Sequence, residues 1–317
     1  MKFKTAAIIG GCLAVLFAVY FASGDQAVFE VRDGETGSAV ARELKERKII
    51  LSEFCFKASL KIAGAQRKIK PGKYVLRKHM SSPAALWQLI HFEGQRCLRV
   101  VIPEGWRLEQ TAERLEALRI AGKEDFISIA RGEKLEGRLF PSTYFFEEKT
   151  PARHVVAAML KEFDQAVGPI LENRPPGGLS RAQVLALASI VEREATNHSE
   201  RPLIAAVYLN RLARGMGLEA DPTVQYAIGY VSRESSWWKK RLNYNDLKVD
   251  SPYNTYKYPG LPPGPICSPG VESVRAVINP APVEALYFVA DGKGEHVFNQ
   301  NFRDHVKAKQ KVRKRGN

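Results

Sequence analysis

Residues 181–195 read as a helix with almost no polar side. Ser180 followed three positions on by Gln183 is a capping-box pattern that starts it. At 100° per residue, Val184, Leu187, Ala188, Val191 and Ala195 share one arc and Leu185 and Ile190 take its shoulders, while Ala186, Ser189 and Arg193 alone face clearly outward. A rod this apolar has to be wrapped by other elements, so the chain must build a helical core around it. It has the means: 317 residues suffice for roughly two domains, and 45% apolar against 26% charged residues exclude a wholly disordered basic protein.

Two acids ride on this helix, Glu192 and Glu194, about 160° apart around its axis. Glu192 sits beside Leu185, and Glu194 lies between Leu187 and Ile190. Desolvation could raise the pKa of either, the property a carboxyl proton donor needs near neutral pH. They could equally be solvated side chains near a helix end, although acids in a last turn oppose the helix dipole. The wheel does not choose between the two acids.

The opposite extreme of patterning lies at the N-terminus. Lys2 and Lys4 precede an uncharged, apolar stretch over residues 5–23, which Asp25 closes. At 1.5 Å per residue it spans about 30 Å, one bilayer core. The short basic side predicts a cytoplasmic N-terminus and export of the remainder. A signal peptide cleaved near Ala22, Ser23 and Gly24 is the competing reading, and the length of the run favours an uncleaved anchor. The 48 Lys and Arg against 34 Asp and Glu leave a charge of +14, which implies an anionic neighbour. For an exported chain that means lipid headgroups and cell-wall polymer rather than nucleic acid. The basic tail at Lys307, Lys309, Lys311, Arg313, Lys314 and Arg315 carries no interleaved aromatics for base stacking and reads as a frayed, solvated helix end.

Cys12, Cys55, Cys97 and Cys267 are scattered, without a C-x-x-C pair or a nearby His grouping. No metal site, cofactor or disulfide framework is expected, and Cys55, Cys97 and Cys267 read as small buried apolar residues.

Behind the anchor, residues 27–94 run strand, helix, helix, strand, helix. The strands are expected at 28–31 and 73–76 and the outer helices at 36–47 and 83–91, with turns at Asp33-Gly34 and Lys70-Pro71-Gly72. This makes a small α+β module with no chemical constellation. A strand at 99–102, helices at 108–118 and 123–130, a turn-rich aromatic segment at 135–144 and a helix at 151–168 follow. After the central helix come another helix from about 199 to 215, a short one entered through Asp221-Pro222 and closed by Gly229, and a hairpin over 285–298. Between them, the Pro- and Gly-rich segment 259–266 pins a loop in one extended path. Tyr253, Asn254, Thr255 and Tyr256 just before it offer rings and amide or hydroxyl groups to sugars, or else fill turns.

The order of these segments resembles the endolytic murein transglycosylases of the MltG/YceG-like family. The matching stretches are residues 185–194 (LALASIVERE), 210–212 (NRL), 221–224 (DPTV), 253–256 (YNTY), 260–266 (GLPPGPI) and 287–292 (YFVADG). The resemblance covers residues 27–305. It implies an α+β chain of three parts: an anchor over residues 1–24, a LysM-like module over 27–97, and a mainly helical, lysozyme-like catalytic domain with β-hairpin elements over 98–317. It also implies action on peptidoglycan glycan strands outside the inner (cytoplasmic) membrane, with peptidoglycan synthases as possible partners. The family's catalytic glutamate is the second acid of an E-[KR]-E pattern, which falls on Glu194, with Glu192 as the fallback. Where the family often has Ser or Thr next, this chain has Ala195, so a hydroxyl partner at 195 is missing. Gln225, Tyr226, Tyr253 and Asn254 are the expected substrate contacts. A hydrolytic muramidase, with Asp221 as second carboxylate, and a non-catalytic wall-binding scaffold are the alternatives.

Overall fold

The structure, a computed structural model, describes residues 26–32, 34–91 and 98–315. The expected anchor, Cys12, Cys97 and the turn residue Asp33 lie outside the described residues. Among the described residues no helix is long and apolar enough to cross a membrane.

The chain divides into two units. The first holds the described residues up to Leu98 together with Phe145–Glu148. Its strands β1 (Gln26–Val31) and β2 (Gly72–Arg77) pair antiparallel, with Phe29 opposite Tyr74. Alternation decides their faces: Phe29, Val31, Tyr74 and Leu76 are buried while Val28 is exposed. Between the strands run α1 (Gly37–Glu46) and α2 (Glu53–Ile62), and α3 (Ser82–His91) follows. Thr36 and Ser52 cap α1 and α2 by accepting from the amides of Ala39 and Cys55. Val40, Ala41, Leu44, Phe56, Leu60, Leu86 and Leu89 close the core. Cys55 is exposed, not buried as expected: α2 turns Phe56 and Leu60 inward and leaves the preceding position outside.

The second unit comprises Arg99–Tyr144 and Lys149 onward. Strand β3 (Leu98–Val101) pairs with β4 (Thr143–Phe146). The latter is an aromatic strand hidden in sequence by the turn signals Gly137 and Pro141 before it. Helices α4 (Leu108–Ala117), α5 (Lys123–Gly132) and α6 (Ala152–Ala166) follow in chain order; α6 ends just short of Gly168, the expected end, and Gly168-Pro169 opens the short α7 (Gly168–Leu171).

The central helix, α8 (Arg181–Glu194), has the expected capping box: Ser180 Oγ accepts from Gln183 N and Gln183 Oε1 from Ser180 N. Helices α9 (Arg201–Ala213), α10 (Asp221–Ile228) and α11 (Val271–Ile278) pack on it. Its enclosure is more complete than the wheel predicts, because Ala186 and Ser189, expected outside, are 2% and 0% exposed. The Pro-rich loop covers that side: Ser189 Oγ donates to Ala186 O at 2.7 Å and accepts from Ile266 N at 2.9 Å. Small residues there let loop backbone approach the helix.

The C-terminal hairpin, β5 (Tyr287–Ala290) and β6 (His296–Asn299), is stapled by Asn210 and Arg211 of α9. Asn210 Nδ2 donates to the carbonyls of Val283 and Ala285, and buried Arg211 to those of Leu286, Gly217 and Leu218. The basic tail continues as a regular helix, α12 (Phe302–Arg315), whose His305 ring stacks 5.2 Å from Tyr287.

Gly137 joins the 135–140 turn to the Pro-rich loop at φ +80°, where an added Cβ would lie 2.5 Å from Pro265 carbons. Gly137→Ala should therefore cost about 2–4 kcal/mol from strained backbone plus overpacking. Gly132→Ala, with open space around it, should be neutral or slightly stabilising. Urea unfolding of the two variants checks the contrast.

Candidate active site

The last turn of α8 brings both acids to the edge of the core, and the structure separates their fates. Glu192 is fully engaged. Its Oε1 pairs with Arg201 Nη2 at 2.9 Å, and its Oε2 accepts from Gly270 N at 3.0 Å and Ser273 Oγ at 2.7 Å. Both side chains of the ion pair are buried, 4% exposed for Arg201 and 7% for Glu192. A carboxylate so paired is part of the scaffold, tying α8 to α9 and α11.

Glu194 faces the opposite way with far less support. Among the described residues a single hydrogen bond reaches it, from Tyr208 Oη to Oε1 at 2.7 Å. Burial pushes its pKa up to about 7, and the charge of Asp221 pushes the same way; the Tyr208 hydrogen bond, His296 and Arg193 oppose them. The hydroxyl that reaches Glu194 thus comes from α9. Tyr208 is buried, its ring edge-on to Phe288 at 5.8 Å, and its own pKa is raised well above the ordinary value by burial and by Glu194. It therefore stays a donor.

The surroundings of Glu194 are built from distant segments. Thr255 Oγ1 accepts from Ala220 N at 3.0 Å and lies 2.9 Å from Thr223 Oγ1, locking the 253–256 loop to the start of α10. This fixes half-exposed Tyr256, which donates to Asp221 Oδ1 at 2.6 Å. From the hairpin, His296 approaches with Glu200 behind it: His296 N donates to Oε1 at 2.8 Å and Nδ1 lies 2.7 Å from Oε2. Arg193 lays its guanidinium 4.0 Å from the Trp238 ring.

Of the other expected contacts, Tyr226 and Tyr253 come together as half-buried rings with centroids 4.7 Å apart. Gln225 is half-buried and donates to Lys239 O at 2.7 Å. Asn254 is 0% exposed and spends its amide inside the loop, donating to Leu247 O and Val249 O and accepting from Tyr256 N. Behind Tyr226 stands a second perturbed acid, Glu136, which accepts from Tyr226 Oη and Leu108 N, each at 3.2 Å. Desolvation raises its pKa to about 8, and nearby Glu109 adds to that while Arg107 opposes it. Tyr208, His296, Glu200 and Glu136 escaped sequence reasoning. Tyr208 stands among apolar neighbours of its helix, while Glu136, Glu200 and His296 stand in polar or turn-rich stretches whose spelling carries no signal of a site. Among the described residues no group of three or more His, Cys, Asp or Glu is arranged to hold a metal ion.

The class this defines is a helix-rich α+β protein that ends a buried helix in one lightly supported carboxyl, a group able to give and take a proton near neutral pH. The family model described as the YceG-like family matches residues 29–311, and the chain belongs to that family. The endolytic murein transglycosylase of Bacillus subtilis (strain 168) is 34% identical over 307 residues, covering 89% of this chain and 83% of that protein. That of Streptococcus pneumoniae serotype 2 (strain D39) is 32% identical over 285 residues, covering 76% of this chain and 51% of its own length, so this chain spans about half of the pneumococcal relative. A crystal structure of a yceG-like protein from Listeria monocytogenes matches with a TM-score of 0.59 at 30% identity, covering 89% of this chain and 98% of that one.

The two acids should respond oppositely to substitution. Glu192→Ala removes the close partner of buried Arg201, leaving its 3.4 Å contact to Glu104, and should destabilise by up to about 3–5 kcal/mol. Glu194 carries a raised folded-state pKa, so its contribution to stability is full below pH 4.5 and lost as pH rises through about 7. Glu194→Gln should consequently match the parent near pH 4.5 and exceed it at pH 8, by up to ~3 kcal/mol. Urea unfolding at the two pH values reads the difference.

Proposed function

We propose that this protein is a lytic transglycosylase that cuts peptidoglycan glycan strands internally, and that Glu194 is its acid and base. The observation that carries the reading is the contrast on α8: Glu192 is locked in a four-group scaffold, while Glu194 is desolvated and has a pKa near 7. The activity named for the Bacillus and Streptococcus relatives supports the substrate class.

In the proposed cycle, protonated Glu194 donates to the bridging oxygen between N-acetylmuramic acid and N-acetylglucosamine as an oxocarbenium-like sugar develops. The resulting carboxylate then accepts the proton of the muramyl C6 hydroxyl, whose oxygen attacks C1 and closes a 1,6-anhydro ring. No water is consumed, so one carboxyl serves both half-reactions. Tyr208 stabilises the carboxylate between the steps. Gln225, Tyr226 and Tyr253 hold the sugars, and Asn254 contributes by keeping the loop that carries Tyr253 in shape.

The placement of this chemistry is part of the proposal. Residues 1–24 anchor the chain in the inner membrane, residues 27–97 form a LysM-like module, and residues 98–317 form the catalytic domain outside the cytoplasm. There it would meet nascent strands and, as partners, the synthases that extend them. The strand–helix–helix–strand order of the first unit supports the module. Asp221 favours a second reading, because it acts electrostatically on Glu194 and could assist a water in a hydrolytic muramidase.

Uncrosslinked glycan strands incubated with the exported part distinguish the readings by mass. Anhydro ends are lighter than reducing ends by one water, hydrolysis gives reducing ends, and a scaffold gives no products. Glu194→Gln should lower the cleavage rate about 10²- to 10⁴-fold, and cleavage at the parent rate would refute the assignment. The acid limb should fall with deprotonation above a pH of about 7. Tyr208→Phe removes a hydrogen bond that lowers the Glu194 pKa, so the limb should move to higher pH in a rate–pH profile.

A further inference from the structure

Gly229 ends α10 at φ +78° and turns Tyr230 outward, where its ring is 49% exposed. The chain then doubles back through a tight loop closed by the Val231–Ser236 bridge, with Ser235 in the left-handed region at φ +46°. The reversal sets Trp237 against Tyr230, ring centroids 5.2 Å apart at 59°. Trp237 is not loose: its Nε1 donates to Glu113 Oε2 at 3.1 Å. Together with Trp106, Gln110 and Arg114 of the segment around α4, these residues line a cleft of about 390 Å³, inside the size range of small-molecule sites.

We propose that this cleft is a distal glycan-binding site, taking pyranose units of the strand remote from the bond at Glu194. The inference rests on the transglycosylase reading and extends it to a subsite. The chemistry is that of sugar recognition. Aromatic faces accept the C–H face of a pyranose, and an amide, a carboxylate and a guanidinium on one wall can bond hydroxyl and acetamido groups. Glu113 already pairs with Lys123 at 3.2 Å and Arg114 lies 5.4 Å from the Trp106 ring centroid, so both charges on this wall are engaged within the protein. Trp237 is held in place before any ligand arrives, which lowers the ordering cost of binding. The cleft also shares a support with the catalytic helix. The next residue, Trp238, takes Arg193 of α8 on its ring face at 4.0 Å and donates its Nε1 to Gln110 Oε1 at 2.9 Å. Trp237 thus serves the cleft while Trp238 braces the turn that carries Glu194. An enzyme that cuts strands internally has to grip them on units beyond the scissile pair, and binding there would be equal in ground and transition states.

The test uses the full chain with Tyr230→Ala, Trp237→Ala and Trp237→Phe. In a Glu194→Gln background, binding of long uncrosslinked strands and of a tetrasaccharide is titrated. The two alanine variants should weaken long-strand binding about 10-fold, as loss of an aromatic anchor does, and leave tetrasaccharide binding unchanged, while Trp237→Phe should keep part of the binding that Trp237→Ala loses. In the active enzyme they should raise KM for long strands at unchanged kcat. Tyr230 is surface-exposed, so its variant keeps the test valid if Trp237→Ala fails to fold. The inference is overturned if Tyr230→Ala binds long strands like the parent, or loses long and short substrates alike. If the parent binds strands through Tyr230 but never cleaves them, the transglycosylase reading fails and the binding site stands. If the parent neither cleaves nor binds, both fall.

Discussion

Everything at the site follows from the burial of α8. Eight consecutive side chains from Val184 to Val191 are removed from water, and each of the large ones contributes about 1.5–3 kcal/mol. A helix held this firmly cannot fray at its C-terminal turn, so the acids there are carried into the protein edge whether or not partners await them. Glu192 meets Arg201, Gly270 and Ser273 and becomes scaffold. Glu194 meets one phenol and keeps a proton to near neutral pH. Two acids two residues apart acquire opposite electrostatics because the helical period points them at different neighbours.

The short motifs around the site divide the labour in a way their spelling does not advertise. Asn210 and Arg211 are staples for the hairpin that delivers His296, and they reach the core through carbonyl groups rather than through substrate. Thr223 and Thr255 bolt the YNTY loop to α10, which places Tyr256 over Asp221. The Pro-rich loop caps the small-residue face of α8 through Ser189. Most of these polar residues are structural, and their hydrogen bonds satisfy loop backbone that would otherwise be buried unpaired.

Legibility tracked the range of the interaction involved. The capping box on α8, the strand order of the first unit, the C-terminal hairpin and the breaks at Gly229 and Gly168-Pro169 depend on neighbours a few residues away, and periodicity or turn chemistry exposes them. The strand Thr143–Phe146 escaped because the turn signals Gly137 and Pro141 dominate the segment just before it. Ala186 and Ser189 face away from the apolar arc of the wheel, and a wheel does not show that the Pro-rich loop covers their side, with Ile266 N donating to Ser189 Oγ. Asn254 looked like a sugar contact because an amide reads identically whether it faces solvent or three backbone groups.

The amino-acid sequence by itself determined that a largely buried helix would end in two acids, that a small α+β module would precede it, and that a proline-pinned loop would follow it in the chain, since these are properties of local pattern and composition. Only the tertiary structure decided which acid is paired with a buried guanidinium and which is left to titrate near neutrality, and that a tyrosine from the following helix donates to the second. Desolvation and pairing are sums over groups far apart in the chain, and those distances exist only once the helices have packed.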